Sequence, residues 1–144
     1  MDTKVVEILL VEDNLQDAEL AIRALKKNNL AHHIHHLRDG AAALEFLFPP
    51  HAPSLTNNSL RLILLDLKMP KVNGLEVLRR VKGDVRTRTI PVVVLTSSKQ
   101  EHDILTAYQA GANSYVVKPV AFDEFSRTVS QFGLYWLSLN QSCR

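Results

Sequence analysis

Leu60–Pro70 reads LRLILLDLKMP, an almost unbroken apolar run closed by a single carboxylate, Asp66. A short apolar run of this kind, with no alternation of polar residues, predicts a strand buried on both faces, as in the interior of a parallel sheet. A lone aspartate closing such a strand puts a charge at the edge of a core. That is costly unless a cation or hydrogen-bond donors meet it there. A turn-forming Asp ahead of Met69 and Pro70 is the competing reading, and the ends of the other strands decide between the two.

Upstream, Val5–Val11 (VVEILLV) is a second buried-strand run, ended by Glu12 and Asp13. Asn14 is placed to cap a helix over Leu15–Asn29, with Asp17 near the positive end of its dipole and Ala18, Ala21, Ile22 and Leu25 on one face. His32–Leu37 (HHIHHL) predicts a short strand, and Asp39 a cap for a helix over Ala41–Phe48. Its four histidines raise a metal hypothesis, but in a strand alternate side chains face opposite ways, and no cysteine or second ligand group completes a site. A solvated strand is preferred. Pro49–Ser59 (PPHAPSLTNNS) is an exposed loop.

Downstream, Asn73 is placed to cap a helix over Gly74–Lys82, with Glu76 at the capping-box position. Ile90–Thr96 (IPVVVLT) is another buried strand, ending in hydroxyls. Ser98 and Glu101 are expected to form a capping box for a helix running to Ala110, with Gly111 as its C-cap. Asn113–Val117 is a fifth strand, closed by Lys118 and Pro119. Phe122, Phe125, Val129, Phe132 and Trp136 then recur at steps of three and four, which marks an amphipathic helix. Five strand–helix units with short connections predict an α/β fold with a parallel sheet covered by helices on both faces.

Composition agrees with a single domain over residues 1–144, its core spanning about 5–137: 46% of the 144 residues are apolar and 22% charged. The formal charge of +2 is spread along the chain, so the basic footprint of a nucleic-acid binder is missing. The single cysteine, Cys143, suits a reducing compartment, and the N-terminal apolar run is too short for a signal sequence or a membrane span, so a cytoplasmic location is expected.

In an open parallel sheet the carboxyl ends of the strands share one edge, where ligands bind. Here those ends carry Glu12 and Asp13, then Asp66, then Thr96, then Lys118. Three neighbouring carboxylates repel unless a cation intervenes. Oxygen ligands from Asp13 and Asp66, with a backbone carbonyl and waters, suit Mg2+. A hydroxyl and an ammonium are what a transferred phosphoryl group requires to neutralise its oxygens, so the predicted chemistry is attack by a carboxylate on a phosphoryl donor.

Taken in order, ILLVEDN, LLDLKMPKVNG, VVVLTSS and YVVKP resemble the receiver domain of two-component response regulators over essentially the whole chain. The VEDNLQDAEL start, the extended loop before the central strand and the aromatic last helix are most similar to single-domain regulators serving cyanobacterial phytochromes. The resemblance implies a flavodoxin-like (βα)5 fold with strand order 2-1-3-4-5. It implies that Asp66 is the phosphoacceptor, that Asp13 binds Mg2+ directly and Glu12 through water, and that the Lys68 carbonyl is a further ligand. Lys118 would pair with a phosphoryl oxygen, aimed by a cis peptide before Pro119, while Thr96 and Tyr115 would be the switch residues. Lys68 and Ser98 would lie near the path of the attacking water and tune phosphoryl lifetime.

A signalling phosphoacceptor is thus expected, not an enzyme, with a sensor histidine kinase as donor, and the resemblance points to a phytochrome in that role. Only LSLNQSCR follows the last helix, so no effector domain is expected and output is assigned to the surface. Leu134, Tyr135 and Leu137, with Ile104, Leu105 and Tyr108, suggest a homodimer through the fourth and fifth helices and the strand between them. Two alternatives remain: a receiver-like module that never carries phosphate, and a Mg2+-dependent phosphohydrolase. The second is disfavoured because such enzymes carry a second Asp two residues after the nucleophile, where this chain has Lys68.

Overall fold

The computed structural model describes residues 6–50 and 59–143. Most of the Pro49–Ser59 loop and Val5 fall outside that range. The elements are β1 (Ile8–Val11), α1 (Leu15–Lys27), β2 (Ile34–Leu37), α2 (Gly40–Leu47), β3 (Leu62–Leu65), α3 (Gly74–Gly83), β4 (Val92–Thr96), α4 (Glu101–Gln109), β5 (Ser114–Val117) and α5 (Phe122–Leu134), which passes into a π-helical turn at Tyr135–Leu139. All strands pair in parallel, in the order β2-β1-β3-β4-β5. The fold is the flavodoxin-like receiver fold that the sequence predicts.

Strand periodicity divides the core into two layers. Leu9, Val11, Ile63, Leu65, Val92 and Val94 face α2, α3 and α4, whereas Ile8, Leu10, Leu62, Leu64, Val93 and Leu95 face α1 and α5. Every residue of β1, β3 and β4 is buried, and every residue of the edge strands β2 and β5 is half-buried.

Three of the four predicted helix caps form. Asn14 accepts from the Asp17 N–H, Asp39 from Ala42 and Asn73 from Glu76. The capping box expected from Ser98 and Glu101 does not form: α4 begins at Glu101, so the cap position falls on Gln100 and Ser98 lies two residues before it, its Oγ accepting from the Gln100 N–H and its hydroxyl donating to Asp103. Phe122, expected in the core stripe of α5, is 69% exposed. It sits at the first position of the helix, beyond the part of α5 that packs on the sheet. Leu137, expected on the outer surface, is buried, because it continues the inward face of Val129 and Gly133 at steps of four, while Tyr135 and Leu139 stay exposed. The Arg61 guanidinium donates to the Leu137 carbonyl there.

Two glycines let backbone segments touch around the Asp66 loop. A Cβ on Gly74 would lie 2.0 Å from the Asp66 carbonyl oxygen, and one on Gly40 would lie 1.9 Å from that of Val72. The loop after β3 is therefore clamped between the first turns of α2 and α3. Lys71 within it adopts φ 65°, a left-handed conformation unusual for a side chain with a Cβ.

Candidate functional site

The register of the sheet builds the site. Val11 pairs with Leu65, so the next residues, Glu12 and Asp66, emerge side by side at the carboxyl edge. Thr96 pairs with Val117, which places Lys118 one step further along the same edge. Backbone hydrogen bonds extend the ladders to these ends: Asp66 N–H donates to Val11 and Lys118 N–H to Thr96.

The side chains converge. One ligand oxygen from each of Glu12, Asp13 and Asp66 lies within 4.8 Å of the others. The Lys118 ammonium lies 2.7 Å from Glu12 Oε1, 2.8 Å from Asp17 Oδ2 and 3.1 Å from Asp66 Oδ2. One positive charge faces a cluster of carboxylates, and all except Asp13 and Asp17 are buried. Burial raises Glu12 to about 7, opposed by its hydrogen bond from Lys118 and assisted by the charge of Asp66. Burial depresses Lys118, but its bonds to Asp17 and Glu12 and the charge of Asp66 outweigh that and hold its pKa above the usual lysine value. The pocket is thus short of positive charge, and its oxygen-only donor set suits a hard divalent cation.

Thr96 adds a second mark of an incomplete site. Its Oγ1 is buried, with no hydrogen-bond partner, and a buried hydroxyl left so is costly. A cleft of about 490 Å³ opens beside this edge, its lining including Asp13, Leu67, Lys68, Met69, His102, Asp103 and Thr106. The Lys68 N–H donates to Asp66 Oδ1 at 3.3 Å, so the residue after next turns its backbone toward the carboxylate.

Tyr115 lies on β5 with its ring against the α2–α4 layer of the core, and its hydroxyl donates to the Ser98 carbonyl at 3.0 Å. Burial raises its pKa, a shift that the Ser98 contact opposes and the charges of Asp103 and Asp66 reinforce. The peptide before Pro119 is trans, as are all peptides among the described residues, which corrects the expected cis bond. The trans form is the lower-energy one even before proline, and strand register alone brings Lys118 to the carboxylates.

The four histidines do not assemble into a metal site. His35 stacks on Phe46, His36 Nε2 donates to the Glu12 carbonyl at 2.8 Å, and the backbone N–H groups of His32 and His33 both donate to Glu7. Asp17 is the site residue that sequence reading missed, since its position in the first turn of α1 accounted for it fully as a dipole partner. Its one available signal was its place four residues after Asp13, on the turn that faces the pocket.

Residues 8–130 match the response regulator receiver domain family. The chain is 46% identical over 136 residues to "Probable methanogenesis regulatory protein FilR2" of Methanothrix harundinacea, covering 94% of this chain and 86% of that protein. It is 39% identical over 132 residues to response regulator Rcp1 of Synechocystis, covering 90% and 88%. The Mn2+-bound form of Rcp1 superposes with a TM-score of 0.85 at 36% identity, covering 96% of this chain and 99% of that one. The phosphorylated cyanobacterial phytochrome response regulator RcpA does so with a TM-score of 0.85 at 33% identity and the same coverage. With the strand order, the acidic edge and these matches in agreement, the chain belongs to the response regulator receiver domain family, the signalling modules of two-component systems.

Proposed function

We propose that Asp66 accepts a phosphoryl group from a sensor histidine kinase and that the resulting aspartyl phosphate changes the surface formed by α4, β5 and α5. The observation that carries this reading is the meeting of Glu12, Asp13, Asp66 and Lys118 at one strand edge beside an unpartnered Thr96 hydroxyl. An Asp66 carboxylate oxygen attacks phosphorus as the bond to the donor breaks. Lys118, already within reach of Asp66, then pairs with a phosphoryl oxygen, and the Thr96 hydroxyl gains the acceptor it lacks.

Glu12, Asp13, Asp66 and the Lys68 carbonyl would hold Mg2+, which when bound offsets the negative charge of the carboxylates and the phosphoryl oxygens. Thr96 and Tyr115 are the switch residues: movement of Thr96 toward phosphate alters the loop on which the Tyr115 hydroxyl rests. Incubation with acetyl phosphate and Mg2+, followed by intact-mass spectrometry, is expected to give one acyl-phosphate adduct. Asp66→Asn should reduce it by at least about 100-fold, because the nucleophile itself is gone. Removing divalent cations with a chelator should suppress it as well.

The identities to Rcp1 and RcpA support a phytochrome as the kinase input, and a cytoplasmic location follows from that role. None of the described helices is long and apolar enough to cross a membrane. Phosphotransfer from a panel of labelled histidine kinases, phytochromes included, tests the input. The exposed apolar side chains Leu105 and Tyr108 of α4 and Leu134, Tyr135 and Leu139 beyond the sheet support a homodimer through α4, β5 and α5. Sedimentation at tens of micromolar (roughly ten times a micromolar-affinity contact) should show a dimer, and a monomer with and without beryllofluoride would refute it.

A further inference from the structure

Lys118 is the cation of the acidic edge, and three carboxylates take up the three donors of its ammonium. Its Nζ lies 2.7 Å from Glu12 Oε1, 2.8 Å from Asp17 Oδ2 and 3.1 Å from Asp66 Oδ2, with the side chain 9% exposed. Two of these partners come from one turn. The Asn14 N–H donates to Glu12 Oε2 and the Asp17 N–H to Asn14 Oδ1, so the end of β1 and the first turn of α1 carry both carboxylates on one braced segment. Behind that turn, α1 is seated on the sheet through Ala18, Ala21, Ala24 and Leu25.

The three partners are not equivalent. Glu12 and Asp66 belong, with Asp13, to the group of carboxylates that suits a divalent cation. A metal there draws on the same oxygens that hold Lys118 and repels its ammonium, because two cations then share one small, poorly solvated pocket. Attachment of a phosphoryl group takes up the Asp66 carboxylate as well. Asp17 stands outside the three-carboxylate group, and among the described residues Lys118 is the one cation paired with it.

We propose that Asp17 is a positioning residue: it retains the Lys118 ammonium while metal and phosphoryl group compete for Glu12 and Asp66, and so keeps one N–H aimed at a phosphoryl oxygen. The inference rests on Asp66 being the phosphoacceptor. In the step it assists, an Asp66 oxygen bonds to phosphorus as the bond from phosphorus to the donor's oxygen breaks. With acetyl phosphate as donor, that electron pair leaves on acetate. Lys118 keeps its proton throughout and offsets the charge of a non-bridging oxygen, and a cation already in place spends no orientation entropy during the step.

Charge and positioning predict opposite signs at Asp17. Asp17→Asn removes a negative charge beside an incoming anion, which by itself would speed phosphorylation, whereas a lost anchor for the ammonium slows it. The Asn14 cap uses the backbone N–H of residue 17 and survives the substitution. With acetyl phosphate and Mg2+ on the full chain, followed by intact mass, Asp17→Asn should form the adduct about tenfold more slowly, the scale of one hydrogen bond to a charged group. Glu19→Gln, two residues on and paired with Arg23 at the surface, should react at the parent's rate. Adding Asp17→Asn to Lys118→Ala should change nothing further, because Asp17 acts through Lys118. Nitrogen-15 NMR of the Lys118 ammonium gives a readout without phosphate. Its signal should persist in the parent when Mg2+ is added and vanish through fast exchange with water in Asp17→Asn. An Asp17→Asn rate equal to or above the parent's overturns the inference. So does a further change in the Lys118→Ala background, or an ammonium signal that survives Mg2+ in Asp17→Asn. No adduct in the parent would instead overturn the phosphoacceptor reading.

Discussion

Helices α1 and α4 flank the same acidic pocket and start alike, each with an aspartate at its third position, but they are held to the sheet very differently. In α1 the residues Ala18, Ala21, Ala24 and Leu25 are buried, and Asp17 is ion-paired to Lys118 across 101 residues of sequence. In α4 only Ala107 is buried, and Asp103 reaches no further than Ser98. One wall of the pocket is fixed by packing and charge. The other hangs on one small side chain and a few hydrogen bonds, which is the profile of a segment that opens at low free-energy cost.

The charge side of that contrast breaks most severely at Lys118. Lys118→Ala leaves Glu12, Asp17 and Asp66 without their shared cation, and removing one member of a buried ionic group costs about 3–5 kcal/mol. Urea unfolding at pH 7 without metal should show that loss, and saturating Mg2+ should return part of it.

The packing side breaks next. Leu25→Ala removes a fully buried side chain between α1 and α5 and should cost about 2–5 kcal/mol. Leu105→Ala on the outer face of α4, where the side chain is 57% exposed, should stay within about 0.5 kcal/mol. Paired unfolding curves would measure the difference. Native-state hydrogen exchange should find the α4 amides less protected than those of α1. Equal protection would remove the distinction between the walls.

The remaining effect is in pH. Glu12 is held near 7 in the folded chain against 4.5 for a free glutamate. A raised carboxyl is a penalty that is absent below pH 4.5, grows from 4.5 to 7 and is complete above 7, at most about 3 kcal/mol. Lys118, raised from an already high value, is charged throughout that window and adds no slope. Metal-free unfolding free energy should therefore fall between pH 5 and 8, and Glu12→Gln should flatten the trend. By the same linkage, Mg2+ should bind more tightly as pH rises through 7, because it must displace the Glu12 proton.

Much of the molecule was legible in the residues because the information was local. Unbroken apolar runs marked β1, β3 and β4, and the caps at Asn14, Asp39 and Asn73 are decided within three residues. The residues after those strands were bound to meet once a parallel sheet was inferred. What the sequence withheld depends on distance in three dimensions. Periodicity tells which face of α5 turns inward but not how far the helix overhangs the sheet, so Phe122 was misplaced. The capping-box spacing at Ser98 and Glu101 was real, but α4 starts only at Glu101, which leaves Ser98 outside the cap position. Asp17 had a sufficient local explanation, which concealed a partner from the far end of the chain.

The contact between Gly74 and the Asp66 carbonyl bears on how the pocket accommodates added bulk. The backbone of Asp66 is braced from behind by a helix with no room to withdraw, while Lys118 anchors its flank to α1. Were a phosphoryl group attached to that carboxylate, as proposed, the displacement would have one outlet, toward β5 and the lightly seated α4. Directionality of the response would then be a property of where the scaffold is rigid, independent of which kinase delivers the group.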